Sequence, residues 1–318
     1  MSEALQSKVS IVGAGAVGSA LAYAGLMRGF TRNLSLYDIN TKKVEAEALD
    51  LAQGMAYMPE TNVVGSSDIE VVRDSDVVVV TAGAKQQPGQ TRMDLAGATI
   101  SLMDKVMPPL LNVAPNATFI LVTNPVDVVT YAALKRSGLP ANRIFGSGTV
   151  LDSSRLRHQV ALECGVAVEN VHAYILGEHG DAEGAIWSSA TIGGVPLDQW
   201  HDKNGNVIMT PEVQERIHHD VMRSAYTIIE GKGATNYAIG VAGARIVEAV
   251  LKDQKRVLPV STLVDVEGVG EVCMSLPALV GAGGVEHRVD VPMSPAEADA
   301  VTASARAIRT TAEKFGVA

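Results

Sequence analysis

The sequence predicts an α/β protein, with a doubly wound parallel sheet in its first half and an α+β unit in its second. Two observations predict the sheet. Short apolar, β-branched runs recur at Lys8 to Val12, Asn33 to Asp38, Asp76 to Ala82 and Thr118 to Thr123, with helical segments between them. The runs DVVVVTA and TFILVT are unbroken, as expected of parallel strands buried on both faces. A third observation predicts the second unit: from Gly146 onward the pattern changes to longer helices and short, irregular strands, so the boundary is placed at Phe145, giving units 1–145 and 146–318.

The first strand, KVSIV, leads directly into GAGAVG at Gly13 to Gly18, and the apolar spacing of ALAYAGLMRG after it suits a helix ending near Gly29. Gly13 permits the tight turn, Gly15 lets backbone approach a pyrophosphate, and Gly18 allows the helix to pack closely on the strand. Phosphates then sit on free N–H groups at the helix N-terminus. A lone GxGxxG is weak. Here a second strand, NLSLY, ends in Asp38, twenty residues beyond Gly18, where a carboxylate accepts hydrogen bonds from an adenosine ribose. Strand, turn, helix and acid together make the first unit a dinucleotide-binding Rossmann sheet, and the acid repels a 2′-phosphate, so NAD is expected over NADP.

The next elements follow the same alternation. Helices are expected over Asp94 to Asn112 and Val126 to Arg136, and three polar segments, GAGAVG, GAKQQPGQTR and TNPVD, fall at carboxyl ends of strands, where such sheets bind ligands. GAKQQPGQTR, Gly83 to Arg92, reads either as a solvated Pro-Gly connection or as a lid bearing charge to a ligand.

Composition limits the function classes. The chain has 318 residues, 47% apolar and 19% charged, and no low-complexity tract, which disfavours disorder. A net charge of −9 argues against non-specific nucleic-acid or acidic-membrane binding. Two cysteines, Cys164 and Cys273, cannot build a disulfide framework, and neither a signal core nor a membrane-length apolar run is present, so a cytoplasmic protein is expected.

In the second unit, LDSSRLR and GEHGD stand out. His179 lies in a glycine-flanked polar loop after the strand-like VHAYIL; by itself such a histidine is more often not catalytic. A metal site from His179 with Glu178 and Asp181 is disfavoured, because carboxylates so close in sequence do not easily converge on one ion, and no metal is expected. Asp152 and Arg155 share a helix face; spacing alone favours a structural ion pair, yet an acid beside an imidazole and an arginine fork suited to a carboxylate would fit a hydroxy acid. At the C-terminus, Ser294, Pro295 and Glu297 form a helix start, and Val301, Ile308, Ala312 and Phe315 recur at helical spacing, which indicates packing.

Taken together, GAGAVG, AGAKQQPGQTR, TNPVD, GSGTVLDSSRLR, NVHAYILGEHGD and KGATNYAIG resemble, in order and approximate spacing over nearly the whole chain, the lactate-acting branch of the lactate/malate dehydrogenase family. The resemblance implies reversible reduction of pyruvate to L-lactate with NADH, His179 exchanging the proton, Asp152 orienting it, Arg155 pairing with the substrate carboxylate and Arg92 polarising the carbonyl. Gln86, Asn124 and Thr235 would line the substrate pocket, and Gln86 stands where the malate branch has an arginine. Cofactor contacts are implied for Gly13, Gly15, Val17, Gly18, Asp38, Lys43, Gly83, Ala84, Val122, Thr123, Asn124 and Ser147. Arg157 lies about 200° around the helix from Arg155, which by itself reads as a surface arginine, but Arg157 and His172 match positions that bind fructose 1,6-bisphosphate between subunits in activated bacterial members. A homotetramer is implied as well. Asn236, where an aromatic is frequent, and Ser154, where alanine is usual, depart from the pattern. Two alternatives stay open: the same fold acting on malate or another 2-hydroxy acid, and an NAD-binding sensor without turnover.

Overall fold

A computed structural model describes residues 7–84 and 92–317 of the chain. The first half runs β1 (Lys8–Val12), α1 (Ala16–Arg28), β2 (Asn33–Tyr37), α2 (Thr41–Gln53), β3 (Asn62–Ser66), β4 (Val77–Val80), α3 (Arg92–Val113), β5 (Thr118–Leu121), α4 (Val126–Ser137) and β6 (Ile144–Gly146). These strands lie in the order β3-β2-β1-β4-β5-β6, every neighbouring pair parallel. The order reverses between β1 and β4, which opens the ligand crevice of a doubly wound sheet at their carboxyl ends.

Side-chain alternation explains why β4 is unbroken valine. Val78 and Val80 belong to the core shared with Met103 of α3 and Val129 of α4, while Val77 and Val79 face Leu21 of α1 and Ile246 on the other side. All four are fully buried, each contributing on the order of 1.5–3 kcal/mol before entropy is charged against it. One face in water would have required a polar alternate.

The second half comprises α5 (Val150–Cys164), β7 (Val171–Gly177), β8 (Glu183–Ile192), β9 (Val195–Pro196), α6 (Pro211–Lys232), α7 (Tyr237–Leu251), β10 (Arg256–Val266), β11 (Gly270–Gly281), β12 (Gly284–Arg288) and α8 (Pro295–Lys314). One expectation is corrected here. Its strands are not all short: β10 and β11 span 11 and 12 residues and pair antiparallel along their whole length. Pro259 and Pro277 face each other in the ladder, and neither interrupts it. The sheet is also continuous, because β10 pairs with β6 at Ser261 and Gly146, and β11 pairs with β7 at Ser275 and Gly177. That junction carries the end of β7 toward the parallel strands. The expected start of α8 is present as a full capping box, Ser294 with Glu297, and Val301, Ile308 and Ala312 are buried. No helix among the described residues is long and apolar enough to cross a membrane.

Candidate active site

His179 is placed by three backbone devices. β7 ends at Gly177, whose φ of +99° turns the chain; a Cβ there would meet the Ser304 hydroxyl of α8 at 2.6 Å, so glycine is required on both counts. The next amide, of Glu178, donates to Ser304 Oγ, and the amide of His179 donates to Asp127 Oδ2 at 2.7 Å. Asp127 is buried in the first turn of α4, just after the cis Asn124–Pro125 bond of TNPVD. The imidazole is thus pinned from behind.

The first turn of α5 supplies its partner. Ser153 Oγ accepts from the Ile175 amide at 2.9 Å, and Thr149 Oγ1 donates to the Ile175 carbonyl, which fastens α5 to β7. Asp152 then reaches His179: its Oδ2 accepts from Nδ1 at 2.6 Å, while its Oδ1 accepts from Arg155 Nη1 at 2.6 Å. The ion pair expected from spacing and the functional trio are therefore one arrangement. Asp152 is 2% exposed, and the side chains of Arg155 and His179 are 13% and 24% exposed, open enough for a small substrate and closed enough for charges to act strongly. Arg155 retains further N–H donors for a carboxylate.

Electrostatics favour an imidazolium. Burial alone would lower the His179 pKa, but the charge and hydrogen bond of Asp152, with Asp127 and Glu183 beyond, outweigh it and push the pKa up to about 9. Burial raises Asp152 as well, yet His179 and Arg155 hold it below the usual carboxylate range. Asp127 goes the other way, raised by burial that nearby Ser261 and the bond from the His179 amide only partly offset. Glu183, also buried, is pushed up to about 8 by desolvation and then by Asp152.

Glu183 and Asp127 were not singled out by the sequence reading. Asp127 is the last letter of TNPVD, and an acid at a helix start after Asn-Pro was the available signal. For Glu183 no local signal exists: the antiparallel register opposing it to Gly177 folds it back toward His179. Ligand atoms of Asp152, His179 and Glu183 lie within 4.8 Å of one another, whereas Glu178 and Asp181 are not part of this group. Two of the three already serve other bonds, Nδ1 with Asp152 and Asp152 with Arg155, so the group is suited to holding protons rather than a cation.

The glycine turn fits a dinucleotide. Gly13 has φ +103°, and a Cβ on it would lie 2.8 Å from Thr81 Oγ1. A Cβ on Gly18 would lie 1.9 Å from the Gly13 carbonyl oxygen, so helix and turn touch. Gly15 differs: a Cβ there meets nothing within 4 Å among the described residues, leaving space beside the N-terminus of α1 for a phosphate. Asp38 accepts from the Ala14 amide at 2.8 Å and the Asn40 amide at 2.9 Å, which fixes an acid at the end of β2 beside that turn. Val17 is half-buried on α1, and the amide of exposed Lys43 donates to the cap of α2, Asn40 Oδ1, at 3.2 Å. Gly83 and Ala84 follow β4, and a Cβ on Gly83 would strike Thr123 Cγ2 at 2.5 Å. Thr123 donates to the Ala82 carbonyl at 2.7 Å; Val122, Thr123 and Ser147 are buried around the ends of β5 and β6.

Asn124 is exposed just beyond β5, and Thr235 half-buried just before α7; neither hydrogen-bonds to His179 among the described residues. Asn236 accepts from Lys232 Nζ at 2.6 Å, and Ser154 is exposed. Gln86 and Lys85 lie outside the described residues, as does the side chain of Arg92, whose backbone opens α3. Arg157 is not a free surface arginine: its Nε donates to the Ala173 carbonyl at 2.9 Å and its guanidinium stacks over Tyr174, next to exposed His172. A cavity of about 640 Å³ lies at the opposite, amino-terminal edge of the sheet among Ser7, Asp76, Val77 and Thr118, remote from these groups.

Residues 7–146 match the family model described as lactate/malate dehydrogenase, NAD binding domain, and residues 149–316 match its alpha/beta C-terminal domain. An L-lactate dehydrogenase of Bifidobacterium animalis subsp. lactis (strain AD011) is 54% identical over 311 residues, covering 98% of this chain and 97% of that protein. One of Thermoanaerobacter sp. (strain X514) is 40% identical, covering 98% and 100%. Among solved structures, a lactate dehydrogenase from a Medee basin deep-sea metagenome library superposes with a TM-score of 0.93 at 37% identity, covering 98% of this chain and 99% of that one. The first half is accordingly an NAD-binding domain. With both domains matched and relatives aligned end to end, the chain belongs to the lactate/malate dehydrogenase family.

Proposed function

We propose that the chain is an L-lactate dehydrogenase that reduces pyruvate reversibly to L-lactate, with His179 as the acid and base. The observation that carries this reading is the linked set of two 2.6 Å contacts, His179 to Asp152 and Asp152 to Arg155. Binding a dinucleotide needs none of these groups, so they argue against a sensor, and the relatives' shared name supports the substrate.

NADH, when bound, supplies the hydride. Negative charge then grows on the substrate's carbonyl oxygen, and protonated His179 donates to it; Asp152 holds the ring in the tautomer that presents Nε2. That interaction is strongest in the transition state and so raises the rate. Arg155 grips the carboxylate of pyruvate through its remaining donors. In reverse, neutral His179 takes the hydroxyl proton of lactate. The family pattern assigns Arg92 to the carbonyl oxygen on a closing lid, which excludes water and strengthens each charge.

Selectivity is assigned to Gln86. A neutral side chain leaves the second carboxylate of oxaloacetate without a partner in a poorly solvated pocket, at a cost of several kcal/mol, on the order of that for any unpaired buried charge. The remaining assignments complete the reading: the nucleotide contacts of the glycine turn, Asp38 and the ends of β4 to β6; domains dividing at Phe145; a cytoplasmic homotetramer; and fructose 1,6-bisphosphate as activator through Arg157 and His172. The test follows NADH absorbance with pyruvate and with oxaloacetate, for the wild type and Gln86→Arg. Pyruvate preference that Gln86→Arg reverses is expected. Inactivity on both substrates would favour the sensor, and wild-type preference for oxaloacetate would mean that Lys85 faces the ligand instead.

A further inference from the structure

Glu183 has no place in the reaction just described, yet its position demands an explanation. It is 7% exposed, and its Oε1 is buried with no hydrogen-bond partner among the described residues, an expensive state for a carboxyl group. It opens β8 opposite Gly177, with a ligand atom within 4.8 Å of both His179 and Asp152. A group that only filled space there would be better apolar.

We propose that Glu183 is a positioning residue of the acid/base assembly, its buried carboxyl backing the Asp152–His179 pair so that the imidazolium keeps its proton to higher pH than Asp152 alone would allow. This rests on His179 being the proton donor. The argument is one of charge in a closed site. While Glu183 is neutral it adds little to the field at the ring; once it ionises, a second negative charge stands near His179, and losing the imidazolium proton becomes harder. Burial delays that ionisation to about pH 8, just below the ring's own range near 9, so the two titrations overlap.

The groups facing this pair are Asp152 and Arg155 of α5, Asp127 of α4, Asp181 of the intervening turn, and His218 of α6, whose ring lies against the Glu183 backbone. Glu297 of α8 meets β8 farther along, at the amides of Trp187 and Ser188. Asp152 and Arg155 are tied to each other, Asp127 is raised by burial but holds the His179 amide, and His218 has its proton affinity lowered by burial; Glu183 is the neighbour raised to about 8, next to the ring's own range.

The experiment titrates the His179 ring directly by NMR of histidine-labelled protein without substrate, the signal assigned by its loss in His179→Asn. In Glu183→Gln the midpoint is expected to fall by about one pH unit, a tenfold change in proton affinity. An unchanged midpoint overturns the proposal. Glu183→Met, similar in shape and without polar atoms, serves the same test should the amide variant fail to fold, with the same two outcomes. Because no turnover is needed, the result is independent of substrate identity. Turnover tests the other reading separately: at saturating NADH the alkaline limb of pyruvate reduction should track the midpoint in each variant, and a limb that stays put while the midpoint moves overturns His179 as donor.

Discussion

A single carboxylate, Asp152, ties the site together by meeting both Arg155 and His179. The same contacts make stability depend on pH. His179 is raised from 6.5 to about 9, so its contribution is fully present below pH 6.5 and is lost as pH climbs through 9. Glu183, raised from 4.5 to about 8, acts in the same direction, because between those values the folded chain holds a proton that the unfolded chain has released. The urea midpoint should therefore decline steadily from pH 6 to 9. In Asp152→Asn the decline should flatten, since burial then depresses the ring, and pyruvate reduction should drop by about 10³–10⁴-fold as the tautomer is lost. A parallel slope in wild type and variant would refute the coupling. At this scale the sequence was informative where a motif was local. Asp152 and Arg155 were legible as a pair from helix spacing, but their grouping with His179 came only from the resemblance that GSGTVLDSSRLR and NVHAYILGEHGD carry together. Glu183 was legible from neither, since nothing short-range says that β8 returns it to the site.

Among the elements, the turn between β1 and α1 separates two uses of glycine that the GAGAVG spelling cannot distinguish by itself. Gly18 is confined by protein, 1.9 Å from the Gly13 carbonyl for a notional Cβ, and Gly15 by nothing among the described residues. Gly18→Ala should therefore destabilise the fold by about 1–3 kcal/mol, a typical overpacking cost, and lower the melting temperature even without cofactor. Gly15→Ala should melt like the wild type, because φ −81° and ψ −177° are open to any residue, while weakening NADH binding at least about tenfold, or 1.4 kcal/mol. Fluorescence titration with NADH and a thermal melt of each variant check both; equal loss of stability in the two would show that Gly15 is a packing glycine. Strand-rich order was readable for the same local reason, valine runs buried on both faces. The long β10–β11 ladder was not, because its facing prolines matter only once register is known.

For the whole molecule, the remaining question is how an acidic chain of net charge −9 would answer to an anion. Repulsion from the chain makes a sugar bisphosphate, which carries about −3 to −4 at pH 7, a poor guest except where cations are held in place. Arg157 is so held, by the Ala173 carbonyl and the Tyr174 ring, beside exposed His172 on β7. This strand also ends at Gly177, two residues before the imidazole, so an anion that stiffens β7 would act on the element that leads into the His179 loop. Exposed apolar side chains on the packed pair α1 and α7, among them Tyr23, Met27, Tyr237 and Val241, form the kind of face that an assembly would cover. Fructose 1,6-bisphosphate titrated at limiting pyruvate should lower the half-saturating pyruvate concentration, and light scattering should report a tetramer. Arg157→Gln should abolish the response while leaving the rate at saturating pyruvate within about threefold, because the guanidinium is held on the Ala173 carbonyl and not on Asp152. A saturation curve that the bisphosphate leaves unchanged in the wild type would end the idea of activation, and a response that survives in Arg157→Gln would move the anion to other residues.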